Sequence, residues 1–202
     1  RLFGNNHSWA VNSRYAEYHR AAQARWRPSP GATAEDKAAA ERFRQNGYEV
    51  FLAPASIPTT RLQALQTKVD GLFESQHNGY PITEGLYRMY DGLELVPEIV
   101  DFIDPHLEAA VETYYCSHFK IFGVYFYRTV PTPKKPESSF LWHLDNCPQQ
   151  EMKLMVYLDD VKTDTGAIRL KTKQLSDQVR AKGFYDRGVP EFQKELDRPE
   201  TT

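Results

Sequence analysis

Two hydrophobic periodicities meet near Cys116, and they oblige the chain to be helical first and extended afterwards. Upstream, apolar residues recur at helical spacing. Tyr15, Tyr18, Ala22 and Trp26 form one such series, broken by Arg27-Pro28-Ser29-Pro30-Gly31. A second helix is predicted from about residue 33 to 45, with Asn46-Gly47 as its stop, because glycine takes the left-handed conformation at little cost. Another follows Pro58, with Thr60 and Gln63 as a capping box and Leu62, Leu65, Val69, Leu72 and Phe73 as its apolar stripe. Asp104-Pro105 opens a further helix, carrying Leu107, Val111 and Tyr114 along one face.

Downstream, residues 119–130 are dense in aromatic and β-branched side chains, which predicts a buried strand. Residues 140–145, 153–158 and 167–171 are shorter strand candidates, with a turn at Asp164-Thr165-Gly166. One more short strand, 48–52, falls within the helical half. Residues 175–183 read as helix, and the charged tail from 187 to 202 carries no closing feature. Helices followed by strands predict an α+β protein, a β-core flanked by helices.

A chain of 202 residues is long enough to bury one hydrophobic core. A net charge of -2 provides no basic field, so nucleic acid is not an expected partner. No apolar run approaches the roughly 20 residues that span a bilayer, and the opening residues carry no signal-peptide pattern. Two cysteines, Cys116 and Cys147, do not make a disulfide framework. The expectation is a cytoplasmic protein whose oligomeric state the sequence leaves open.

Trp142-His143-Leu144-Asp145 carries the chemistry. Residues two apart on a strand share a face. His143 and Asp145 can therefore present an imidazole nitrogen and a carboxylate oxygen to one ion. That pair suits Fe(II), and two ligands of a facial triad leave positions open for cosubstrate and dioxygen. A bare His-x-Asp triplet recurs by chance, and its ordinary alternative is a solvated strand end.

The surrounding segments supply context. Arg42-Phe43-Arg44-Gln45-Asn46-Gly47-Tyr48-Glu49-Val50 resembles the helix-to-strand opening of the phytanoyl-CoA dioxygenase-like family of Fe(II)/2-oxoglutarate-dependent oxygenases. A helical middle follows, then the aromatic strand Gly123-Val124-Tyr125-Phe126-Tyr127-Arg128, a Pro/Lys loop and the His143/Asp145 motif. Met152-Lys153-Leu154-Met155-Val156-Tyr157-Leu158-Asp159-Asp160-Val161 and Thr165-Gly166-Ala167-Ile168-Arg169-Leu170 are similar to the two strands that follow the metal motif in that family. The resemblance spans about residues 40–188.

This resemblance implies a double-stranded β-helix over 47–202, preceded by a helical extension over 1–46. It implies Fe(II) as metal and 2-oxoglutarate as cosubstrate, with hydroxylation of a small molecule and release of succinate and CO2. His143 and Asp145 become metal ligands, and Phe126, Arg128 and Met155 fall where the family lines its 2-oxoglutarate pocket. Arg128 could grip a carboxylate with both arms of its guanidinium; its ordinary alternative is an ion pair with a surface acid. Phe126 and Met155 are equally suited to a core. Tyr125 and Tyr127, on the opposite face, are expected to pack on flanking helices.

The sequence departs from the family in two places. Of its six histidines (His7, His19, His77, His106, His118 and His143) none follows His143, whereas the family places a further ligand and a 2-oxoglutarate-pairing basic residue on later strands. The expectation is a barrel incomplete at its C-terminal end. Lys171-Thr172-Lys173-Gln174 stands where many relatives carry Pro-Gly-Ser-His. The alternative is a non-catalytic β-barrel relative that binds a ligand or a partner protein.

Overall fold

The computed structural model describes residues 9–51, 57–75, 79–133, 135, 137–143, 151–162, 165–183 and 189–197. Its helical half follows the local signals. Helix α1 spans Trp9–Arg25 and α2 spans Ala34–Asn46. Thr33 caps α2: its hydroxyl accepts from the Asp36 amide at 3.2 Å, and the Asp36 carboxylate accepts from the Thr33 amide at 2.6 Å. At the other end Gly47 takes φ of 82° and its N–H closes on the Phe43 carbonyl at 2.9 Å. Helix α1 forms as expected, and Ala22 and, just past its end, Trp26 of the predicted series are half-buried. Tyr18 is exposed, whereas His19 sets its ring edge-on to Tyr115 at 6.2 Å and Gln23 donates to the Tyr115 carbonyl at 3.2 Å.

Helix α3 is Thr59–Glu74. The Thr60/Gln63 capping box does not form: the cap position is Pro58, which offers no side-chain oxygen, and Thr60 lies inside the first turn. The apolar stripe is as read, with Leu65 and Val69 buried and Leu62, Leu72 and Phe73 packed beside them. Helix α5, Pro105–Tyr115, starts as predicted, with the Asp104 carboxylate accepting from the Leu107 amide at 2.8 Å. It packs on α2 through alanines: Ala39 and Ala40 of α2 and Ala109 and Ala110 of α5 are all buried. Small side chains let the helices approach closely. His106 reaches Asp36 at one end, Arg44 donates to the Thr113 carbonyl at 2.8 Å at the other, and the two helices therefore run parallel.

The sheet is small and antiparallel. Among the described residues it has the order β1-β2-β3, from Gly79–Thr83, Leu86–Met89 and Phe126–Thr129. The β1–β2 hairpin lies in the stretch the sequence reading took as helical. Its turn needs Gly85, at φ of 80°, where an added Cβ would sit 2.8 Å from the Val130 carbonyl oxygen. Short helix α4 (Gly92–Leu95) and a 3-10 turn at Pro97–Phe102 carry the chain from β2 to α5. The principal core lies between α3 and the sheet: Leu65, Val69, Met89, Val96, Phe102 and Phe126, with Val156 and Leu158 packed against it.

Among the described residues the predicted strands are mostly not strands. Of 119–130 only Phe126–Thr129 enters a ladder, and 48–51, 140–143, 153–158 and 167–171 enter none. The reason is physical: β-propensity favours an extended backbone, but a strand exists only where a neighbour accepts and donates its hydrogen bonds. Val156 and Leu158 still turn toward the core while Met155 and Tyr157 face solvent, the period of two that an extended segment imposes. Phe140, where the predicted strand 140–145 opens, instead ends a 3-10 turn at Ser138–Phe140. The chain is thus α+β, a mixed helical protein with a small sheet.

The C-terminal part closes on itself, contrary to the reading of its tail. Helices α6 (Lys173–Ala181) and α7 (Pro190–Leu196) bury Val179, Phe192 and Leu196 together with Trp142, Leu175 and Val189. No helix among the described residues is long and apolar enough to cross a membrane.

Candidate functional site

The candidate site begins at the 3-10 turn Ser138–Phe140, which delivers residues 141–143 to the α6–α7 pair. Trp142 is held on all sides. Its amide donates to Gln193 Oε1 at 2.9 Å, and its carbonyl accepts from Gln193 Nε2 at 2.6 Å. Its indole Nε1 donates to Asp197 Oδ1 at 2.7 Å. Arg169 stands 4.6 Å from the ring centroid and Lys171 5.3 Å, within the range of cation–π attraction.

His143 follows directly and is half-buried. Its Nδ1 lies 2.7 Å from the Leu141 carbonyl oxygen. A carbonyl only accepts, so Nδ1 carries the proton of this bond. In the neutral ring that places the lone pair on Nε2, the tautomer in which a histidine binds metal through Nε2. Asp145, the other expected ligand, lies outside the described residues, as do Asn146 and Cys147. Among the described residues no three His, Cys, Asp or Glu side chains gather as a metal-holding group.

The expected cosubstrate residues are elsewhere in the fold. Phe126 is buried in the principal core against α3. Arg128, on the same face of β3, lays its guanidinium 4.9 Å from the Phe73 ring centroid and pairs with Asp70, both on α3. That is the acid partnership its sequence reading held as the ordinary alternative. Met155 is exposed. The structure groups Phe126 with Arg128 against α3 and groups His143 with the elements around Trp142. Tyr125 and Tyr127 do not pack on helices: Tyr125 meets Tyr90 at 5.6 Å, and Tyr127 stands opposite Arg88 of β2 in the ladder. The helices cover the other face of the sheet.

Two clefts among the described residues are lined by other side chains. One of about 520 Å³ lies between α2 and α6, bounded by Arg44, Lys173 and Asp177. The other, of about 360 Å³, lies between α3 and the Pro97–Phe102 turn, where Arg61 pairs with Asp101 and Lys68 with Glu98. Lysine pairing holds the Glu98 carboxyl below its ordinary value.

Other titrating groups serve the helices. Burial raises the Asp36 carboxyl, but hydrogen bonds from the Thr33 amide and hydroxyl, with His106 beside them, bring it below its usual range. His118 pairs with the buried Glu112 at 2.5 Å, which raises the imidazole.

The sequence reading missed Gln193 and Asp197. A signal was present: Pro190 at the first helical position, then Phe192 and Leu196 four apart, mark a short amphipathic helix. No family model, no curated protein and no solved structure matches the chain.

Proposed function

We propose that this protein is an Fe(II)/2-oxoglutarate-dependent dioxygenase of the phytanoyl-CoA dioxygenase-like kind, hydroxylating a small molecule. The observation that carries the reading is His143: a half-buried imidazole whose Nδ1 is engaged by a backbone carbonyl, two residues ahead of Asp145 in a family-like order of segments. Its tautomer fits the donor chemistry of the metal. In this reading 47–202 is the oxygenase domain, for which the resemblance implies a double-stranded β-helix, and 1–46 is its helical extension; the segments 153–158 and 167–171, which enter no ladder here, stand where the family has barrel strands.

His143 Nε2 and the Asp145 carboxylate would hold the ion. Bound Fe(II) with 2-oxoglutarate supplies oxidative decarboxylation to succinate and CO2, coupled to oxidation of a substrate C–H bond by dioxygen. The chain supplies position and shelter. Trp142, held between Arg169 and α7, fixes the backbone on the N-terminal side of His143. The resemblance alone assigns Arg128, Phe126 and Met155 to the cosubstrate pocket; here Arg128 pairs with Asp70 and Phe126 lies in the core. Asp145→Ala should abolish Fe(II)-dependent formation of succinate from 2-oxoglutarate; undiminished succinate would remove Asp145 from the site.

A second reading has its own observation. Leu154, Met155, Tyr157, Ile168 and Leu170 are exposed on the segments 153–158 and 167–171. Such a surface suits a non-catalytic relative that binds a ligand or partner protein. That reading predicts the same ligand affinity with and without Fe(II).

A further inference from the structure

We infer that Gln193 of α7 is a positioning residue for His143, acting through Trp142. The inference rests on the oxygenase reading only for its metal readout; the clamp itself stands on the geometry. A primary amide has its acceptor and donor on separate atoms, so it can accept from and donate to a single residue's backbone at once. Gln193 does so, taking the Trp142 N–H at 2.9 Å and giving to the Trp142 carbonyl at 2.6 Å. This pair of bonds fixes both peptide planes that flank Trp142, and the second of those planes begins His143. The indole repeats the tie from the side chain, through Nε1 to Asp197 one turn further along α7.

The consequence for His143 follows from its own bond. Its ring is oriented by the Leu141 carbonyl at 2.7 Å, across the residue that Gln193 clamps. If Trp142 turns, the Leu141 carbonyl and the His143 ring no longer face each other, and the Nδ1–H tautomer loses its preference. Helix α7 is anchored by Phe192 and Leu196, both buried with Val179 of α6 in the cluster that Trp142 also packs against. The polar groups that support a metal-bound histidine typically change affinity by about 10- to 100-fold when removed, and Gln193 acts one residue beyond such a group.

The test compares the unaltered chain with Gln193→Ala and Gln193→Glu. Glutamate keeps the acceptor and the volume but sets an oxygen against the Trp142 carbonyl. Two readouts are taken: the His143 ring tautomer by long-range proton–nitrogen NMR without metal, and the Fe(II) dissociation constant in the presence of 2-oxoglutarate without oxygen. A thermal melt establishes that each variant is folded, and Asp197→Asn, which keeps the acceptor, serves as a second variant. The expected result is a single Nδ1–H tautomer in the unaltered chain, a mixture in both Gln193 variants, and Fe(II) binding weakened about 10-fold. A tautomer unchanged in folded Gln193→Ala would overturn the inference. A tautomer that loosens in a chain with no Fe(II) binding at all would uphold the clamp and sink the oxygenase reading instead.

Discussion

The α2–α5 pair and the stretch from 119 to 171 show two ways a sequence can specify structure. The helices carry their own instructions. Thr33 and Asp36 close one end of α2, Gly47 closes the other, Asp104 starts α5, and alanines on both faces set the contact. Each of the cap signals acts within four residues of the group it satisfies. The later stretch is richer in large apolar side chains, yet only Phe126–Thr129 becomes a strand among the described residues. Composition there chooses an extended backbone, but the partner that would make it a strand must come from far along the chain.

The contrast can be broken first where it is sharpest, between neighbouring positions of the later stretch. Phe126→Ala, in the core, should cost about 3–5 kcal/mol in chemical denaturation, whereas Met155→Ala, at 54 % exposure, should stay within about 0.5 kcal/mol. Equal losses at the two sites would mean that Met155 is packed. The helical unit is tested next by Ala40→Leu, which forces extra volume between α2 and α5 and should destabilise by about 1–3 kcal/mol. A smaller effect separates the caps: Thr33→Ala should lose about 1 kcal/mol, while Thr60→Ala, which caps nothing, should change stability by less than about 0.5 kcal/mol.

Legibility divides along the same line. The boundaries of α2, the start of α5, the stripe of α3 and a helix near 175–183, found at 173–181, could be read because each rests on spacing or a cap. The β1–β2 hairpin could not, because its register depends on Gly85 meeting the Val130 carbonyl and on β3 arriving from some forty residues later, a long-range fact. Of the candidate site, the residue types at His143 and Arg128 were legible, but their partners were not. Arg128 finds Asp70 and Phe73 on α3, and Trp142 finds Gln193 and Asp197 on α7, through tertiary contacts that no local pattern encodes.

The subtlest expected effect is on pH dependence. Glu112 raises the His118 imidazole above its ordinary value of 6.5 in the folded state. Folding therefore favours proton uptake, and the stabilisation is fully present below pH 6.5, then fades as pH rises through the raised value. His118→Gln should flatten the stability curve across that interval; an unaltered curve would show the pair to be solvated. The Asp36 carboxyl works in the opposite direction. Its stabilisation is present above the ordinary value of 3.8 and disappears as pH falls through its lowered value.

The central claim is that His143 and Asp145 hold Fe(II) with 2-oxoglutarate beside it. Anaerobic titration of Fe(II) into the protein with 2-oxoglutarate, followed by the visible metal-to-ligand charge-transfer absorption, tests it most directly. The account predicts a saturating band that disappears in His143→Ala. No band in the unaltered chain, or an undiminished band in His143→Ala, would contradict it and return His143 to an ordinary histidine tied to its own backbone.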